Sequence, residues 1–162
     1  MNIFLGLGSN IGDRKENLKK SCSLIANIKD ANIISKSHIY ESSPLINKNQ
    51  PFFLNQVLNI STLLDPSELL DILQKIESKM GRKQSKRRYM PRIIDIDILD
   101  YNGITLKSKN LLLPHPQIKF RKFILKPWTD ISPDYILVSE KKTIKELLDD
   151  LSDLKDEVRE YI

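Results

Sequence analysis

Apolar and polar positions along the chain change period several times, and each change predicts an element. Residues 2–8, NIFLGLG, read as a strand, and residues 14–28, RKENLKKSCSLIANI, as an amphipathic helix with Leu18, Cys22 and Ile25 on one side. Residues 31–43, ANIISKSHIYESS, predict a second strand that leads into PLINKNQP, a loop with two prolines. Residues 52–64, FFLNQVLNISTLL, predict a third strand. Its period of two puts Leu54, Leu58 and Ile60 on one face and Phe53, Asn55 and Val57 on the other. The clearest helix is DPSELLDILQKIESKMG, residues 65–81. Asp65 caps it, Pro66 takes the first helical position, and Glu68 completes a capping box. Leu69, Leu73, Ile76 and Met80 form its stripe, and Gly81 ends it.

The stretch YMPRIIDIDIL, residues 89–99, predicts a fourth strand, and Asn102-Gly103 predicts a type I′ hairpin into a further strand through ITLKS. Residues 110–128 combine a short apolar segment, a proline-locked turn and a short helix. Residues 143–162 predict a terminal helical extension, as a helix or helix pair. In it Ile144, Leu147, Leu151, Leu154, Val158 and Tyr161 recur by threes and fours. That seam predicts packing on its own domain, with a partner helix as the alternative. Strands come in adjacent pairs as well as alternating with helices. The expectation is an α+β fold of the ferredoxin-like kind, with a mostly antiparallel sheet flanked by helices, in one domain over residues 1–162.

Composition changes this picture little. A hydrophobic fraction of 40% and a charged fraction of 29% suit a globular domain. No apolar run approaches the roughly 20 residues a bilayer requires, and the first residues lack a signal-peptide pattern. Cys22 has no cysteine partner, so it reads as a core thiol and the cytoplasm is the expected compartment. Charge adds more. The net charge is +5, and Arg82, Lys83, Lys86, Arg87, Arg88 and Arg92 crowd one segment. That suits a nucleic acid, an acidic surface or a polyanionic small molecule.

Against this segment stand Asp95 and Asp97, set into an apolar strand. Two residues apart, they project from one face, about 6.5 Å apart. An uncompensated buried charge costs several kcal/mol. Either each aspartate pairs with a neighbouring cation, or both hold a hard cation. Without a Cys or His set, that cation is Mg²⁺ rather than zinc. A metal-bound polyphosphate would satisfy acids and arginines together, with Arg82 and Arg92 as phosphate contacts and the loop between them mobile. GLGSNIG, residues 6–12, has the wrong spacing for a dinucleotide fingerprint and reads as a strand–turn–helix joint.

GLGSNIGDR, PLINKNQPFFLNQV, the YMPRIIDIDIL strand and LLLPHPQIKFRKFIL, in that order, resemble the 6-hydroxymethyl-7,8-dihydropterin pyrophosphokinase family over about residues 1–137. The resemblance implies pyrophosphoryl transfer from ATP to 6-hydroxymethyl-7,8-dihydropterin in folate biosynthesis. It also implies two Mg²⁺ held by Asp95 and Asp97, and catalytic roles for Arg82 and Arg92. On the ATP side it implies Gln74, Glu77, Arg82, Tyr89, Arg92, Ile98, Leu112, His115 and Arg121. On the pterin side it implies Ser42, Ser43, Pro44, Leu45, Phe53, Asn55, Asp95 and Phe123. Ordinary alternatives are core packing for the two phenylalanines, a buried structural amide for Asn55, and a proline-framed turn residue for His115. Tyr89, Gln84, Asn110, Leu112 and Phe53 depart from the residues most usual in the family. A monomer free of nucleic acid and membrane is expected. The rivals are a metal-dependent phosphohydrolase on the same carboxylates and a basic nucleic-acid-binding module.

Overall fold

The computed structural model describes residues 2–45, 48–82, 90–153 and 157–162. Lys83, Gln84, Lys86, Arg87, Arg88, Tyr89 and Leu154 lie outside the described residues, and with them the expectation of a mobile cationic loop.

The centre of the fold is an antiparallel sheet. Strand β1 (Ile3–Ser9) pairs with β4 (Phe53–Thr62) on one side and β5 (Asp95–Tyr101) on the other. The far edge of β4 carries two short strands in succession, β2 (Ala31–Lys36) and β3 (Tyr40–Ser42). Residues 31–43 are therefore two strands, not one. Between them the Ser37 N–H donates to Val57 O at 2.9 Å, and Ser37 Oγ accepts from the Val57 N–H at 3.0 Å. A side chain takes over a ladder bond there, and the strand is interrupted.

Alternation sorts side chains to two cores. On one face Ile3, Leu5, Leu7, Leu54, Leu58, Ile60, Ile96 and Ile98 meet α1 (Arg14–Ala26) and α2 (Pro66–Lys79). The capping box of α2 forms as predicted, with Asp65 accepting from Ser67 and Glu68 and Glu68 accepting from Asp65. Cys22 is half-buried and packs against this core. On the other face Phe4, Val57 and Leu99 meet α3 (Lys122–Ile131) and α4 (Ile144–Asp149). Phe4 lies 4.7 Å from the Trp128 ring, centroid to centroid. No helix among the described residues is long and apolar enough to cross a membrane.

Three expectations are corrected. The joint read over residues 6–12 is shorter than that stretch, since Gly6 and Gly8 lie inside β1 as the strand reading of residues 2–8 has it, and Gly12, at φ +66°, takes the turn. The turn at Asn102-Gly103 forms with both φ values positive. The next strand, β6 (Leu106–Lys107), nonetheless pairs forward with β7 (Leu112–Leu113) and not back on β5. The outer side of β5 is engaged instead by the His115 N–H, which donates to Leu99 O at 2.7 Å. The third correction concerns residues 143–162. A capping box at Thr143 starts α4, following the small hairpin of β8 (Ile136–Leu137) and β9 (Lys142–Thr143), and the helix ends after six residues. Val158 belongs to a strand, β10 (Val158–Glu160), which pairs with β3 and makes the sheet order β10-β3-β4-β1-β5. A three-four spacing cannot reveal that a sheet edge with open N–H and C=O groups lies within reach.

Candidate active site

The strand register builds the site. Across the sheet it sets Tyr40, Asn55, Gly8 and Asp95 in one row, and Val57, Gly6 and Asp97 in the next. All point to the face that α3 and α4 cover. Cover extends over Val57 and Leu99 but stops short of Asn55, Gly8 and the aspartates. Glycine at position 8 leaves the sheet bare between Asn55 and Asp95, which two strand spacings separate by about 10 Å. The result is a cleft of about 200 Å³. Its floor is Gly6, Leu7 and Gly8, and its walls carry Phe53 and Phe123. Ser42, Ser43, Pro44 and Leu45 close one end, and Arg92, Asp95, Asp97 and Arg121 line the other. Every residue that the sequence predicts on the pterin side therefore reaches one cavity.

Asn55 is buried and oriented. Its Nδ2 donates to Ser42 Oγ at 2.9 Å and to Tyr40 O at 3.4 Å. With the amino group so committed, Oδ1 turns toward the bare backbone of Gly8. It is an acceptor held in place at the cleft.

The aspartates sit among arginines. Asp95 Oδ1 is 2.7 Å from Arg82 and Asp95 Oδ2 is 2.6 Å from Arg92, while Asp97 Oδ2 lies 3.5 Å from Arg121. Each aspartate thus pairs with arginine, the first of the two alternatives read from the sequence, and the two acids share one face. Burial and the Asp95 charge push the Asp97 carboxyl up, and Arg121, Arg92 and Arg82 pull it back. Glu77 is the hidden member of this network. It lies beneath β5, accepts from the Ile96 N–H at 2.7 Å and pairs with Arg82. Burial pushes its carboxyl up to about 7, against the Ile96 N–H and Arg82.

The other ATP-side residues are not all brought together. Gln74 is exposed on α2, one turn before buried Glu77. At Ile98 and Leu112 the resemblance concerns the backbone; the Ile98 side chain is in the first core and Leu112 is exposed on β7. His115 follows the Leu113-Pro114 bond, and its Nδ1 accepts from the Gln117 N–H at 3.2 Å. Nδ1 is thus engaged within the turn. Burial and the nearby Arg121 charge hold its pKa down at about 4, so the ring is neutral at neutral pH. In an unfolded chain the same ring titrates near 6.5 and binds more protons between the two values. Its contribution to stability is therefore complete above pH 6.5 and is lost as pH falls toward 4. Thermal melts across that window should show a shallower acid-side decline for His115→Gln than for the parent. An unchanged slope would mean the imidazole is not so held.

Sequence reasoning missed Asn10, only 1% exposed. Its Oδ1 accepts from the Arg92 N–H at 2.7 Å, and its Nδ2 donates to Gln50 Oε1 at 3.1 Å. It ties the start of the arginine–aspartate strand to the loop before β4. The available signal was an asparagine directly after a buried strand, where an amide is needed to satisfy main-chain groups. The place of Gly8 on the floor follows only from the register.

The 7,8-dihydro-6-hydroxymethylpterin-pyrophosphokinase (HPPK) family model matches residues 4–133. A Methylorubrum extorquens protein named 2-amino-4-hydroxy-6-hydroxymethyldihydropteridine pyrophosphokinase is 37% identical over 145 residues, 90% of either chain. Folic acid synthesis protein FOL1 of Dictyostelium discoideum is 41% identical over 134 residues, and the match covers 83% of this chain but 20% of that one. The chain thus spans about a fifth of that relative's length. A solved structure of Plasmodium falciparum HPPK-DHPS, wild type with SDX-DHP, superposes with a TM-score of 0.74 at 19% identity. That superposition covers 92% of this chain and 44% of the other, and it bears on the fold alone. With most of its length inside the family match, this chain belongs to the 7,8-dihydro-6-hydroxymethylpterin-pyrophosphokinase family.

Proposed function

We propose that this chain transfers pyrophosphate from ATP to 6-hydroxymethyl-7,8-dihydropterin, yielding AMP and the pterin diphosphate. The observation that carries this is the row Asn55–Gly8–Asp95. A fixed acceptor, a bare floor and a carboxylate follow one another across adjacent strands, and Phe53 and Phe123 line the same cleft. A flat ring lying over Gly8 would present its polar edge to Asn55 and its hydroxymethyl arm to the aspartates. The hydroxymethyl oxygen gives its proton up to solvent and forms its bond to the β-phosphorus as the bond from that phosphorus to the AMP oxygen breaks. The electron pair and the charge depart with AMP. Holding the two reactants in line supplies much of such a rate.

Asp95 and Asp97 are the residues that would hold Mg²⁺, two ions in this reading. The donor set fits that ion. Among the described residues no group of three or more His, Cys, Asp or Glu gathers to cage a metal, so this pair supplies carboxylate oxygen alone and leaves the remaining positions to water and phosphate. Bound there, Mg²⁺ supplies neutralisation of the triphosphate and in-line alignment of its oxygens. Arg82, Arg92 and Arg121 now neutralise the same carboxylates. Each guanidinium relieved of its aspartate can turn to a phosphate oxygen, the anion its planar fork suits. Gln74, Glu77, Tyr89, Ile98, Leu112 and His115 complete the ATP side of this reading. Glu77 acts there by positioning Arg82. We assign the working form to a cytoplasmic monomer, in keeping with its free cysteine.

Incubation with ATP, Mg²⁺ and the pterin should release AMP only when the pterin is present. AMP or ADP formed without pterin would favour the phosphohydrolase. Phe123→Ala should weaken pterin binding far more than ATP binding in a titration. Equal weakening of both would remove Phe123 from the pterin wall.

A further inference from the structure

The part of the cleft formed by residues 42–45 hangs on a very short strand. β3 has three residues and pairs with β4 along only that length. Yet Ser42 on it orients Asn55, and the chain directly after it lines the cleft. So short a strand with a single neighbour is weakly held. Its second neighbour is β10, which lies beyond the residues matched to the family.

We propose that β10 and Tyr161 form a clasp that holds β3 and residues 42–45 in register, and so set the affinity for the pterin. The inference rests on the pterin reading of the cleft. Main-chain bonds close both ends of the clasp. The Tyr161 N–H donates to Ile39 O at 2.8 Å, before β3, and the Ser43 N–H donates to Glu157 O at 3.3 Å, after it. Side chains lock the middle. Glu41 points away from the cleft, and its carboxylate joins Arg159, 2.9 Å away, and Arg14 of α1, also 2.9 Å away. Arg14 also donates to Phe52 O at 2.7 Å, next to the Phe53 of the wall. Arg14 and Lys15 lie over the Tyr161 ring at 5.9 and 5.6 Å from its centre. One segment thus reaches both the 42–45 end and the Phe53 wall of the cleft. Among the described residues, the ion pairs of Asp95 and Asp97 run to Arg82, Arg92 and Arg121 and not to this segment. These residues position the site and are not catalytic.

The test compares Tyr161→Pro, Arg159→Ala and Tyr161→Phe in the full chain. Tyr161→Pro removes both the N–H to Ile39 and the ring, Arg159→Ala removes one arm on Glu41, and Tyr161→Phe keeps ring and N–H. Tyr161→Pro should raise the pterin dissociation constant about tenfold. Binding of a non-hydrolysable ATP analogue with Mg²⁺ should stay within about twofold. Hydrogen exchange at the Ser43 amide should quicken while β1 and β4 amides keep their protection. Arg159→Ala should move the same readouts less, and Tyr161→Phe should leave them at parent values. Both ligands weakening together, or faster Ser43 exchange with unchanged pterin affinity, would overturn the clasp. A parent protein that binds no pterin would overturn the pterin reading and this inference with it. A parent that binds and a Tyr161→Pro variant that binds equally well would overturn the clasp alone.

Discussion

Asp95→Ala and Asp97→Ala should each cut turnover by more than about 100-fold while the sheet stays folded. Neither carboxylate supports the core, because both open onto the cleft and Ile94, Ile96 and Ile98 fill the opposite face. What each removal changes is charge. Without Asp95, Arg92 loses its carboxylate partner while Arg82 keeps Glu77. Without Asp97, the like-charge neighbour of Asp95 is gone, and a carboxyl that burial already pushes up no longer needs a counter-charge. Asp97→Asn should therefore melt no lower than the parent, even as its turnover collapses. Steady-state AMP formation alongside thermal melts separates the two effects. Near-normal turnover in either alanine variant would end the assignment of Mg²⁺ to this pair.

The second large effect is expected at a residue with no side chain. Gly8→Val should weaken pterin binding by more than about 100-fold, equivalent to ~2.7 kcal/mol, and leave ATP binding nearly unchanged. A Cβ built on Gly8 would sit 3.6 Å from Asn55 Oδ1 and 3.9 Å from a Phe53 ring carbon, which is ordinary contact. The backbone therefore accepts the substitution, and a branched residue suits a strand. Its methyl groups, however, would stand on the floor between Asn55 and Asp95. Gly6 differs, since a Cβ there would meet Ile124 at 3.0 Å and Leu99 at 3.1 Å, inside the second core. Titration with the pterin and with an ATP analogue decides the point. Full pterin affinity in Gly8→Val would mean the ring does not lie over that row.

Much of this was legible in the chain, for identifiable reasons. The helix from Pro66 carries its start, stripe and stop in local residue types, and it forms with its capping box intact. The two faces of β4 follow from a period of two and hold to its end. Asp95 and Asp97 stood out because a carboxylate in an isoleucine-rich strand demands compensation. Asn10, Gly8 and Glu77 were harder to place. Asn10 works by joining segments distant in the chain, Gly8 by lying between two partners that only pairing supplies, and Glu77 by being buried on a helix where glutamate is ordinarily a solvent-facing residue.

Local residue types set such elements as β4 and α2 and their polarity, because capping and periodicity act over a few bonds. The sequence by itself also determined that acids and arginines must meet. Only the tertiary structure decided which strands become neighbours, that β10 closes on β3, and that the second helical layer stops short of Asn55, Gly8 and the aspartates. Those outcomes depend on edges, registers and covered areas, which exist only once distant segments have packed against one another.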